Sequence, residues 1–74
     1  MSTKKQIQAD CKRFAYVYHI DLSGNEKTGI CVMCEDYATV IETWAELLDV
    51  FRTWREGVSF RNACMNPVKF ERSI

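Results

Sequence analysis

From Phe14 to Leu22 the even positions are Phe14, Tyr16, Tyr18, Ile20 and Leu22. This is the period of a strand with one covered face, and the residues are strong β-formers. The following Ser23-Gly24-Asn25-Glu26-Lys27-Thr28-Gly29 is dense in turn residues, and Ile30 to Glu35 forms the return strand. The pattern predicts an antiparallel hairpin over about 13–22 and 29–35. With the turn centred near Asn25, Ile20 faces Ile30, Tyr18 faces Val32 and Tyr16 faces Cys34, which places all six on one face. The other face holds Ala15, Val17, His19, Cys31 and Met33. That set is too apolar for open solvent, so a terminal segment, a second copy or a partner is expected to cover it.

An amphipathic helix is predicted over about 39–56. Val40, Trp44, Leu47, Leu48, Phe51 and Trp54 recur at helical spacing on one side. Glu42, Glu46 and Asp49 lie on the opposite, solvent side. Thr39 and Glu42 have the spacing of a capping box, Arg52 and Arg55 suit the negative end of the helix dipole, and Gly57 is placed to end the helix. Thr3 to Lys12, with Ile7 and Cys11 four apart, suits a short helix leading into the first strand. In 58–66, Val58, Phe60 and Asn62 alternate as in a strand, but Ser59 can cap a one- or two-turn helix ending before Pro67; the helix is preferred. Val68-Lys69-Phe70 reads as an edge strand or a trailing end. The expected core includes Tyr16, Tyr18, Ile20, Val32, Trp44, Leu47, Leu48 and Phe51. The expected fold is α+β: a two-stranded hairpin packed by one long helix, with short terminal elements.

The 74 residues make one small domain, 1–74. A chain this short buries only about 60% of its unfolded surface, and that burial roughly offsets the entropy of ordering. A partner or a second copy would stabilise it. The net charge is zero, with 10 basic and 10 acidic residues, so no bulk field draws it to nucleic acid or membrane. The charges are nevertheless segregated. Residues 1–20 carry +3, 21–50 carry −6 and 51–74 carry +3. The polar start predicts no signal peptide, and no apolar run reaches the roughly 18 residues a bilayer span needs. Cytoplasmic residence follows, and with it four reduced cysteines.

Cys31-Val32-Met33-Cys34 has CxxC spacing, but there is no second pair to complete a tetrahedral zinc site. In a strand, positions i and i+3 face opposite ways. No metal ligands, cofactor or catalytic residues are assigned. His19 reads as a packed or edge imidazole, and the three glycines match no phosphate-binding loop. Tyr16, Tyr18 and Phe14 with nearby Lys and Arg raise base stacking as a use, yet the helix needs that face as core. The acidic residues Glu35, Asp36, Glu42, Glu46 and Asp49 form the candidate docking patch for a basic partner. Val17, His19, Cys31 and Met33 form a second candidate surface, for a partner or a dimer.

In its length, its hairpin-plus-helix pattern, its lack of an active-site motif and its acidic patch, the chain resembles small phage- and mobile-element-encoded proteins. These include anti-CRISPR and other host-takeover inhibitors. The resemblance implies a non-enzymatic, stoichiometric inhibitor or modulator that binds a host protein complex in the host cytoplasm, acting as monomer or homodimer. The competing reading is a nucleic-acid-binding regulator that uses the basic ends. One consequence for stability follows from the helix pattern. Leu48→Ala should cost about 2–5 kcal/mol, enough to unfold a marginal domain in a thermal melt.

Overall fold

In the computed structural model, residues 3–68 are described. A first helix, α1 (Lys4–Val17), leads into strands β1 (Asp21–Asn25), β2 (Gly29–Cys34) and β3 (Tyr37–Ile41). Helices α2 (Trp44–Arg55) and α3 (Phe60–Met65) follow. The strands form one antiparallel sheet in the order β1-β2-β3. The fold is α+β, but it differs from the expected hairpin and single helix in three ways. The edge strand or trailing end expected at Val68-Lys69-Phe70 falls, beyond Val68, outside the described residues.

The first difference is at 13–20. Phe14, Tyr16 and Tyr18 continue a helix instead of starting a strand. Ile7, Cys11 and Ala15 are buried at four-residue spacing, with Phe14 packed beside them. Read from Ile7 onward, the period is helical; read from Phe14 alone, it is two. Tyr16 is therefore 84% exposed and is not core. Tyr18 lies against Phe14 and Trp54 at the edge of the aromatic cluster. The helix ends without glycine. His19 takes the left-handed position at φ 55°, its N–H reaches the Tyr16 carbonyl, and the Ile20 N–H donates to the Ala15 carbonyl at 2.8 Å. This double closure turns Ile20 into the core.

The second difference is register. Leu22 pairs with Val32 and Gly24 with Ile30, so the turn centres on Lys27, two residues later than expected. The Asn25 side-chain oxygen accepts from the Lys27 and Thr28 N–H groups and locks that turn. A Cβ on Gly24 would stand 2.3 Å from the Gly29 carbonyl oxygen. Only glycine fits there.

The third difference is that 37–41 is a strand, so the long helix begins at Trp44 and not at 39. Thr43, not Thr39, is its cap, accepting from the Glu46 N–H at 3.1 Å. The same Thr-x-x-Glu spacing recurs four residues later, and the later copy is the one used. Gly57 ends α2 at φ 103°, and Ser59 caps α3, as the sequence indicates.

The two turns of the sheet hold the two later helices. The N–H of Trp44, first residue of α2, donates to Glu26 Oε2 at 3.0 Å. The N–H of Phe60, first residue of α3, donates to Glu35 Oε1 at 2.7 Å. These are orphan donors at a positive helix end, where a carboxylate is favoured. Around them lies the core: Ile30, Val32 and Ile41 from the sheet, Ile7, Cys11 and Ala15 from α1, Trp44 to Phe51 from α2, and Phe60 and Ala63 from α3. Phe14 stacks on Phe51 with centroids 4.5 Å apart.

Glu26 also pairs with Lys4 Nζ at 2.7 Å. That partner, with the Trp44 N–H, holds its carboxyl below the ordinary 4.5. A depressed folded value means stability that is complete above about pH 4.5 and is lost as acid titrates the folded carboxylate. Wild type and Glu26→Gln should therefore differ in melting temperature at neutral pH and converge on acidification. A pH-independent gap would show that the charge is not the source.

Candidate functional site

Alternation along the sheet decides which side chains meet the helices and which do not. Ile30 and Val32 of β2 face the core, so Cys31 and Met33 face away. Their cross-strand neighbours complete the outer face. Cys31 pairs with Ser23 and Val40, and Met33 with Asp21 and Ala38. Together these six line a shallow depression of about 310 Å³. Met33 is 46% and Val40 61% exposed. All three helices pack on the opposite side.

The two candidate surfaces from the sequence separate on this scaffold. Of Val17, His19, Cys31 and Met33, only the last two share a face. Val17 ends α1 and His19 sits in the closure after it, so neither belongs to a hairpin. Ala38 and Val40 take their places; the apolar periodicity of the helix expected over 39–56 takes in Val40, and Ala38 lies just before it. The signal for β3 was the run Tyr37-Ala38-Thr39-Val40-Ile41, with β-branched residues at three consecutive positions.

The acidic group is also redistributed. Glu42 and Glu46 are exposed. Asp36 is exposed in the β2–β3 turn, at φ 62° beside Glu35 at φ 53°. Glu35 spends one oxygen on Phe60. Asp49 is not on the solvent side at all; it is 5% exposed, in the α2 segment that packs inward. The expected stripe on one helix is instead a set of charges around the ends of β3.

No family model, curated protein or solved structure matches this chain significantly. The geometry alone must carry the functional reading. A larger open groove of about 850 Å³ runs between the starts of α1 and α2. Its central polar groups, Lys4 and Glu26, are engaged with each other and with Trp44. Among the described residues, no three His, Cys, Asp or Glu side chains gather as metal ligands, and no helix is long and apolar enough to cross a membrane. On the helical side, Arg55 lies over the rings of Tyr18 (4.6 Å) and Trp54 (5.7 Å), a cation–π arrangement.

The CxxC spacing splits as strand geometry requires, with Cys31 outward and Cys34 toward the helices. Burial raises the Cys34 thiol, with Glu35 adding to it. Burial raises Cys64 further, to about 11, with Cys34 and Glu46 as neighbouring contributors. Cys11 is fully buried and its Sγ donates to the Trp44 carbonyl. Because the thiolate is the reactive form, folded protein at pH 8 should alkylate first at Cys31. Cys64 should follow slowly, and Cys11 should react only on unfolding. Mass mapping after timed iodoacetamide treatment reads the order.

Proposed function

We propose that this protein is a non-enzymatic protein-interaction module, and that the outer face of its sheet is the binding surface. The observation that carries this is the exposed apolar block of Cys31, Met33, Ala38 and Val40. It is contiguous on two paired strands, whereas scattered apolar residues on a surface need no explanation. A specific contact needs only about 800 Å² per partner, within reach of a domain whose surface totals 5247 Å². Such a module acts stoichiometrically, as an inhibitor or modulator of a partner complex in the cytoplasm. The resemblance to phage-encoded host-takeover proteins favours that use. A second copy on the same face is an additional state, as the small core suggests.

The nucleic-acid reading keeps one observation in its favour. Lys12, Arg13, Arg52 and Arg55 are exposed on α1 and α2, and Tyr16 is exposed on α1 near Lys12. Phosphate contacts of this kind lose affinity steeply with salt.

The test places one charge in the outer face. Met33→Glu and Val40→Glu each change an exposed side chain, so stability should move by no more than about 0.5 kcal/mol. Each should abolish partner recovery in a tagged pull-down from the native host, while Lys5→Glu on α1 should leave it intact. Unchanged recovery by both sheet variants, with salt-sensitive binding to random RNA or DNA, would replace this reading with the regulator.

A further inference from the structure

The sheet has an open edge as well as an open face. The two-residue turn at Glu35-Asp36 has positive φ at both positions, so Cys34 and Tyr37 close it as a mutually hydrogen-bonded pair. In an antiparallel ladder such pairs alternate with non-bonded ones. With this register, Tyr37, Thr39 and Ile41 bond to β2. The N–H and C=O of Ala38 and Val40 therefore point away from the sheet, and no hydrogen bond from a described residue reaches them. Natural edge strands are usually blunted by proline, an inward charge or a bulge. The edge Tyr37-Ala38-Thr39-Val40-Ile41 has none of these.

We infer that β3 is a strand-addition site for an extended partner segment that carries basic residues at both ends of an apolar pair. This deepens the interaction reading above by naming the partner's chemistry, and it rests on that reading. The register dictates the pattern. An antiparallel strand that engages both Ala38 and Val40 places its own residues opposite them, on the same outer face. Two apolar side chains there extend the Met33–Val40 block. Just beyond the two ends of β3 stand Asp36, in the turn before it, and Glu42, in the bend after it. Each is exposed and outside any ion pair among the described residues. Arg61 lies over Tyr37, and Lys27 lines the groove beside Glu42, yet neither reaches these carboxylates.

The fitting segment thus reads basic-x-apolar-x-apolar-x-basic. A second copy fits worse. In the one symmetric register that pairs Ala38 with Val40, the Asp36 end of one copy meets the Glu42 end of the other, and bringing like charges together there is unfavourable.

The probe is the blocked peptide Lys-Thr-Val-Thr-Val-Thr-Lys, titrated into the ¹⁵N-labelled full chain. Three controls go beside it: the same peptide with Glu at both ends, the same peptide N-methylated along its pairing edge, and an Asp36→Asn/Glu42→Gln variant of the protein. The expected result is a shift and slowed solvent exchange at the Ala38 and Val40 amides. The Glu-ended peptide should bind at least about tenfold more weakly, the methylated one should not bind, and the variant should lose the preference for Lys over Glu ends. Binding confined to side chains of the outer face, with no protection at Ala38 and Val40, would overturn strand addition and leave the open-face reading standing. Equal affinity for Lys- and Glu-ended peptides would overturn the basic partner. Protection of Ala38 and Val40 in the free protein, with a dimer mass by light scattering, would assign the edge to a second copy. No binding of the Lys-ended peptide would overturn the inference, whatever the pull-down recovers.

Discussion

The structure depends on two carboxylates that reach from sheet turns to helix starts. Every helix leaves its first N–H groups without an internal partner, and burying such a group unpaired is costly. Here α2 and α3 solve the problem in the same way. The residue before each helix, Thr43 or Ser59, supplies a hydroxyl to the third N–H. A glutamate from a hairpin turn supplies a carboxylate to the first. Sheet and helices are thereby fixed in register by polar contacts at their corners, and the apolar filling between them follows from that placement. The Cys11 thiol on the Trp44 carbonyl adds α1 to the same corner as Glu26.

Local chemistry was legible where it is local. Ser59, Gly57 and the inward positions Trp44, Leu47, Leu48 and Phe51 follow from neighbours a few residues away, and the structure keeps them. The hairpin was recognised as a hairpin because its turn is rich in Asn and Gly. Its register was not legible, since the Asn25 side chain moves the turn forward, and no periodicity reports on that. The stretch from Phe14 to Tyr18 satisfies two periods at once. What decides between them is burial of Cys11 and Ala15, a tertiary fact. The helix end at His19 was hidden for a related reason: the left-handed residue there is not glycine.

The candidate surface was half legible. Cys31 and Met33 were placed on an outer face because strand alternation needs only the strand itself. Ala38 and Val40 were not, because Val40 also extends the helical stripe of Trp44, Leu47 and Leu48. Asp49 shows the limit of wheel arguments. On a helix packed by α1, α3 and the sheet, the side opposite the apolar stripe is not automatically solvent.

The Glu35-Asp36 turn carries one more consequence. A two-residue turn of this hand is built most easily by Asn-Gly, and neither residue here relaxes into it unaided. Glu35 is held there because its carboxylate closes α3. Replacing Glu35 by a better turn residue would therefore remove the carboxylate that caps α3, while keeping the glutamate leaves the turn poorer at that position. The β2–β3 turn and the start of α3, 25 residues away in the chain, are thus tied by one carboxylate, so the stability of each is linked to the other. A change that loosens α3 therefore reaches the edge strand β3 through the same carboxylate.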